Sequence, residues 1–113
     1  MSTQVDVEGA GSRPAIRESM KDAALRSALR KRAAGVPTYT VPETAALLSI
    51  SHEYLYKLIH EGLFPSLHMK RGENQGRFAV PALAVERLLA EASAGSSCLD
   101  VAGWTASLAG GAA

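Results

Sequence analysis

Apolar positions between residues 38 and 92 recur with two different spacings, and the change of spacing marks the elements. In "SISHEYLYKLIHEGLFP", residues 49–65, Leu55, Leu58 and Ile59 fall at i, i+3 and i+4 and define the buried side of one short helix. Ser51 is a good N-cap, and Ile50 before it can staple against Leu55. Gly62 can take the left-handed conformation that stops the helix. Upstream, Thr40 and Glu43 have the separation of a capping box, so a helix carrying "PETAALL" begins there. Pro42 lies in its first turn, where no helical hydrogen bond is lost. Ser49-Ile50-Ser51 is so short an interruption that the two helices form a helix-turn-helix.

Beyond Gly62 the spacing changes. "SLHM" and "RFAV" read as short strands around "KRGENQG", whose Gly72, Asn74 and Gly76 suit a chain reversal. They predict a small β-hairpin, or wing. Pro81 then opens a third helix, "PALAVERLLAEA", in which Ala84, Val85, Leu88 and Leu89 share a face. The expected fold is mainly α: a winged helix-turn-helix with an N-terminal basic helix and a flexible C-terminal tail.

The flanks follow a different pattern. Residues 1–12 are polar and glycine-containing and are expected to be disordered, and 13–35 form a basic helical arm. Within the arm, "AIRESMKDAALRSALRKRAA" (15–34) is dense in helix formers, and Gly35 and Pro37 stop it. Its Ile16, Met20, Leu25 and Leu29 gather into no single narrow stripe, so the pattern does not say what it packs against. The winged helix-turn-helix unit is placed at 38–92. Residues 93–113 are small and low in charge and read as a flexible tail with one conspicuous residue, Trp104.

Composition narrows the possibilities. The 113 residues allow one small domain, and its core must be small because aromatics are only 5 %. The formal net charge of +1 hides a segregation. Between Arg13 and Arg32 seven basic residues face two acidic ones, a local balance of +5. Between Thr38 and Glu91 five basic residues face six acidic ones. A basic arm beside a near-neutral domain suits a nucleic-acid binder. The single cysteine, Cys98, excludes an internal disulfide and a cysteine-based zinc site within one chain. Residues 1–12 hold no apolar run, so no signal peptide is expected. No stretch reaches the roughly 18 apolar residues of a membrane span, so no membrane partner is expected.

The outward stripe of helix 51–61 carries the candidate chemistry. His52, Glu53, Tyr56, Lys57 and His60 lie opposite the apolar side, where the second helix of a helix-turn-helix faces the major groove. Lys57 can neutralise a phosphate or donate to guanine, His52 can donate to a base acceptor, and Glu53 can accept from cytosine N4. Tyr56 offers a hydroxyl to a phosphate. Lys70, Arg71 and Arg77 sit on or beside the wing, where cations can follow the phosphate backbone or probe the minor groove. On an arbitrary helix such a stripe is a solvated face; the turn, the glycine stop and the wing are what favour double-stranded DNA. In the basic arm, Arg26, Arg30, Lys31 and Arg32 are candidate accessory DNA contacts, with a solubilising or partner-binding helix as the alternative.

The middle of the chain resembles the excisionase-family winged helix-turn-helix, a relative of the MerR-type DNA-binding domain. The matching features are T-V-x-E-x-A-x-L-L at 40–48, I-S at 50–51, L-Y-K-L-I at 55–59, G-x-x-P at 62–65 and V-P-x-x-A at 80–84. The resemblance implies a small bacterial or phage protein. It would be either a transcription regulator or a recombination directionality factor that steers an integrase by bending and coating DNA. The family often has arginine where His52 stands and a basic residue where Ala79 stands, and its wing loop is usually shorter. The basic arm is expected to offset those losses. On this reading the protein lies in the cytoplasm, on the nucleoid.

Other functions have less support. His52 and His60 are eight positions apart, too far along a helix for one metal ion, and His68 lies in a presumed strand. No residues have the spacing of a triad or of a phosphate-binding glycine loop, so no catalytic residue, metal or cofactor is expected. The competing class is an adaptor or antitoxin-like regulator tethered to DNA, whose N-terminal helix or Trp104-bearing tail binds an integrase or another protein. No heptad run marks a coiled coil, which favours a monomer that assembles cooperatively along DNA.

Overall fold

The computed structural model describes residues 2–71, 74–95 and 98–111. Five helices and three strands follow in the order α1 (Ser2–Ala34), β1 (Thr38–Tyr39), α2 (Val41–Leu48), α3 (His52–His60), β2 (Leu67–Arg71), β3 (Asn74–Pro81), α4 (Ala82–Ala94) and α5 (Val101–Gly111). The helices and the small antiparallel sheet make a winged helix-turn-helix with a helix added at each end.

Local chemistry sets the helix boundaries. Thr40 Oγ1 accepts from Glu43 N–H while the Glu43 carboxylate accepts from Thr40 N–H, which closes the expected capping box. Ser51 Oγ accepts from Tyr54 N–H and starts α3. Three helices end in the same motif, with paired bonds from two residues beyond the last turn back into it. Gly35 N–H donates to Arg32 O and Val36 N–H to Lys31 O at the end of α1. Ser49 and Ile50 donate to Ala46 O and Ala45 O after α2, and Gly62 and Leu63 to Ile59 O and Leu58 O after α3. Each motif needs one left-handed residue. Gly35 and Gly62 fill that role at φ 72°, but after α2 it falls to Ser49 at φ 61°.

The sheet has the strand order β1-β3-β2, with Thr38 opposite Pro81 and Tyr39 opposite Val80 on one side of β3. On its other side Leu67, His68 and Met69 pair with Ala79, Phe78 and Arg77. The strands continue into the segment expected to be a loop, because Arg71 pairs with Asn74. Between Met69 and Arg71 the register shifts, with one extra residue on β3. A glycine, Gly76, stands there, and glycine suits a bulge because it has no side chain to place. The wing is thus a longer hairpin than the sequence suggested. The two-residue β1 carries too short a pattern to be seen in advance.

The core lies where the sheet meets α2, α3 and α4. Tyr39, Val41, Ala45, Leu55, Ile59, Phe64, Val80, Val85, Leu88 and Trp104 form one buried cluster. Leu55 is fully buried, so α3 is anchored on its inner side by an interaction of roughly 1.5–3 kcal/mol from that residue alone. Ile50, Leu58, Ala84 and Leu89 pack against the same cluster.

Both ends differ from expectation. The helix expected over 15–34 begins at Ser2, so it also includes residues expected to be disordered. Once nucleated, a helix gains one hydrogen bond for each residue fixed, which lets it run back towards the terminus. It docks on α2 through Ala28, which is fully buried and small enough for close approach. The stretch read as a flexible tail contains α5. Asp100 accepts from Gly103 N–H and caps its first turn. Trp104 is 7 % exposed, and its indole N–H donates to Glu91 at 3.0 Å. Thr105 donates to the Leu63 carbonyl, and Leu99, Val101 and Leu108 pack on the core. Trp104 is therefore a core residue and not an exposed anchor for a partner protein. Composition misled here because tertiary packing, not helix propensity, holds α5 in place.

Candidate functional site

Helix α3 is pinned from one side and open on the other. Leu55 and Ile59 are buried, whereas His52, Glu53, Tyr56, Lys57 and His60 are all exposed on the opposite arc. The five residues singled out in the sequence therefore share one accessible face. Their charges are lightly coupled: His52 Nε2 lies 3.5 Å from Glu53 Oε2, and both side chains are largely exposed, so the pair adds little stability. Lys57 is exposed on this face. Tyr54, 54 % exposed, flanks it on the side away from the hairpin and was not anticipated from the sequence.

On the hairpin side the face is bounded by a row of rings. His68 and Phe78, directly opposite each other on β2 and β3, stack with centroids 4.3 Å apart and planes at 17°. His60 meets the same Phe78 edge-on at 5.2 Å, and Tyr56 meets it edge-on at 6.1 Å. Tyr56 also stacks loosely on His60, and His52 lies edge-on to Tyr56. Offset and edge-to-face geometries are those that ring quadrupoles favour, at about 0.5–1.5 kcal/mol a pair beyond area burial. Tyr56 and His60 thus have two roles available. Their rings lean on the hairpin, and their polar atoms border the open face. Phe78 was missed, although the sequence held a signal in an aromatic residue one position inside each predicted strand.

A cleft of about 660 Å³ runs between these elements, lined by Thr40, Pro42, Tyr56, His60, Arg77 and Phe78 among others. Arg77 is exposed on its wing side. Lys70 and Arg71 belong to the backbone of β2, but their side chains lie outside the described set, as do Gly72 and Glu73 between the strands.

The basic arm divides into two groups. Lys31 Nζ lies 2.8 Å from Glu43 Oε1, and Ser27 Oγ donates to the other oxygen of the same carboxylate. Burial alone would raise the Glu43 pKa; the hydrogen bonds from Lys31, Ser27 and Thr40 N–H overcome it and hold the group at about 2. Arg32 donates through Nη2 to Glu86 Oε1 at 2.8 Å, and its Nε makes a 2.7 Å charge contact with Oε2. Two of the four candidate accessory cations, Lys31 and Arg32, are therefore engaged in joining α1 to α2 and α4. Arg26 and Arg30 are exposed and have no ion-pair partner among the described residues.

Among the described residues no three histidine, cysteine or carboxylate side chains gather as a metal ion requires. None of the described helices is long and apolar enough to cross a membrane. Cys98 is exposed and unpaired. In comparison with known families, residues 38–93 match the family model described as a helix-turn-helix domain. No curated protein and no solved structure matches the chain.

Proposed function

We propose that the protein binds double-stranded DNA sequence-specifically, through the helix-turn-helix domain matched at residues 38–93. Helix α3 enters the major groove, with His52, Glu53 and Lys57 at base edges and phosphates, and Tyr56 and His60 at the rim. The hairpin lies along the adjoining backbone, bringing Lys70, Arg71 and Arg77 to phosphates or to the minor groove. The single observation that carries this reading is the exposed polar face of α3. It stands directly beside the hairpin strand that carries exposed Arg77, while the opposite side of the helix is locked into the core.

The role built on that binding is either a small transcription regulator or an excisionase-type directionality factor, and both use the same face. One domain of this size makes few base contacts, so cooperative assembly on repeated sites supplies the remaining specificity. The adaptor reading loses its tail, because Trp104 is buried. A protein partner, an integrase in the excisionase case, would meet α1, where Ile16, Met20 and Leu29 stand exposed. Sequencing the genomic fragments that the purified protein retains at moderate salt tests the proposal. Closely spaced repeats beside an integrase gene identify a directionality factor, and scattered promoter fragments a regulator. Failure to enrich any sequence contradicts specific DNA binding.

A further inference from the structure

Helix α3 and the hairpin must hold a fixed angle if they are to meet adjacent grooves together, yet few interactions join them outside the core. Among the described residues no hydrogen bond, from backbone or side chain, runs between α3 and either β2 or β3. What joins them on the accessible side is Phe78. It stacks on His68 of β2 at 4.3 Å and receives His60 and Tyr56 of α3 at 5.2 and 6.1 Å. It occupies β3 immediately next to Arg77, and from there the hairpin extends outward through the bulge at Gly76.

We infer that Phe78 is a positioning residue for DNA binding. It touches no DNA itself, but it sets the angle at which the hairpin leaves α3 and so decides whether the wing cations reach phosphates. The inference rests on the proposal that α3 and the hairpin are the DNA-contacting elements. The physical case is simple. A two-stranded hairpin held at its base by β1 pairing and by Val80 can pivot about that base. Two ring contacts from Phe78 to α3, with His60 and Tyr56, oppose the pivot on the side that faces α3, while His68 backs the Phe78 ring from within the hairpin. Replacing the ring with an aliphatic group keeps apolar volume near the core but removes the directional contacts.

The test uses the full chain and a mixed-sequence DNA duplex, with affinity measured across a range of salt concentrations. Each phosphate neutralised contributes about 0.9 to the slope of log affinity against log salt. Replacing Lys70, Arg71 and Arg77 together with alanine is expected to lower the slope by roughly two to three. Phe78→Leu, which leaves every cation in place, is expected to lower it by a similar amount, and Phe78→Tyr to restore it. Combining Phe78→Leu with the triple replacement lowers it no further. His68→Leu, at an exposed position that does not threaten folding, shifts the slope in the same direction. Cooperative urea unfolding of each variant reports the fold separately. A purely structural Phe78 would reduce stability and leave the slope at the parent value, and that result, or full additivity with the triple replacement, overturns the inference. Failure of the parent to bind the duplex would instead overturn the functional proposal beneath it.

Discussion

Lys31 on α1 and Glu43 on α2 meet at 2.8 Å, through the same carboxylate oxygen that accepts from Thr40 N–H to close the capping box of α2. One buried carboxylate therefore starts the first helix of the helix-turn-helix and fastens the N-terminal helix to it. Its pKa of about 2 lies below the ordinary carboxylate value of 4.5, so it stabilises the fold fully above about pH 4.5. That stabilisation, on the order of 3 kcal/mol, is lost as the pH falls towards 2. Urea unfolding followed from neutral to acid pH should show the loss. Glu43→Gln should be less stable near neutral pH, with a flatter acid dependence. An unchanged acid limb in that variant would show that the carboxylate is not the group responsible.

Ser49 and Gly62 occupy equivalent positions after successive helices, both in the left-handed region, at φ 61° and 72°. A side chain costs roughly 1 kcal/mol there, and glycine does not. Ser49→Gly should therefore stabilise the protein by about 0.5–1 kcal/mol. Gly62→Ala should destabilise it by a similar amount through backbone strain alone, since nothing lies within 4 Å of the added methyl. Thermal unfolding of the two variants should move in opposite directions.

Trp104 is the sole tryptophan and reports the packing of α5 directly. Its emission should be blue-shifted in the native protein and move to the red on unfolding. Trp104→Ala should cost about 3–5 kcal/mol. Trp104→Phe should cost much less, losing mainly the hydrogen bond to Glu91. Water-exposed emission together with a neutral alanine variant would mean that α5 does not cover the core in solution.

Arg32 and Glu86 tie α1 to α4, but their side chains remain 45 % and 40 % exposed. A double-mutant cycle between them should return less than about 1 kcal/mol, and the value should shrink with salt. Because Glu86 already neutralises Arg32, Arg32→Ala should weaken DNA binding less than Arg26→Ala combined with Arg30→Ala. Equal losses from the two changes would indicate that Arg32 leaves Glu86 on binding DNA.

Much of the central fold was legible because its signals are local. The Thr40–Glu43 box, the Ser51 cap, the Gly62 stop and the spacing of Leu55 and Ile59 each involve residues within about one turn of one another. The structure also places the five α3 site residues on one exposed face, as their spacing required. What was hidden depends on residues far apart in sequence. Trp104 reaches Glu91, Arg32 reaches Glu86, and Ser27 and Lys31 reach Glu43, so the arm cations read as free are partly taken up by the fold. Phe78 was passed over because hydrophobic residues in strands are expected in cores. Its importance shows only when His60 and His68 are seen on either side of it.

The most direct test of the central claim is the affinity of Lys57→Ala for a DNA fragment retained by the parent, measured beside its unfolding transition. Lys57 is exposed and takes no part in the core, so its loss should leave stability within about 0.5 kcal/mol of the parent. Binding should weaken by about tenfold or more, corresponding to roughly 1–3 kcal/mol for a contact to a base or phosphate. Parental affinity in a normally folded Lys57→Ala protein would contradict the assignment of α3 as the DNA-reading helix.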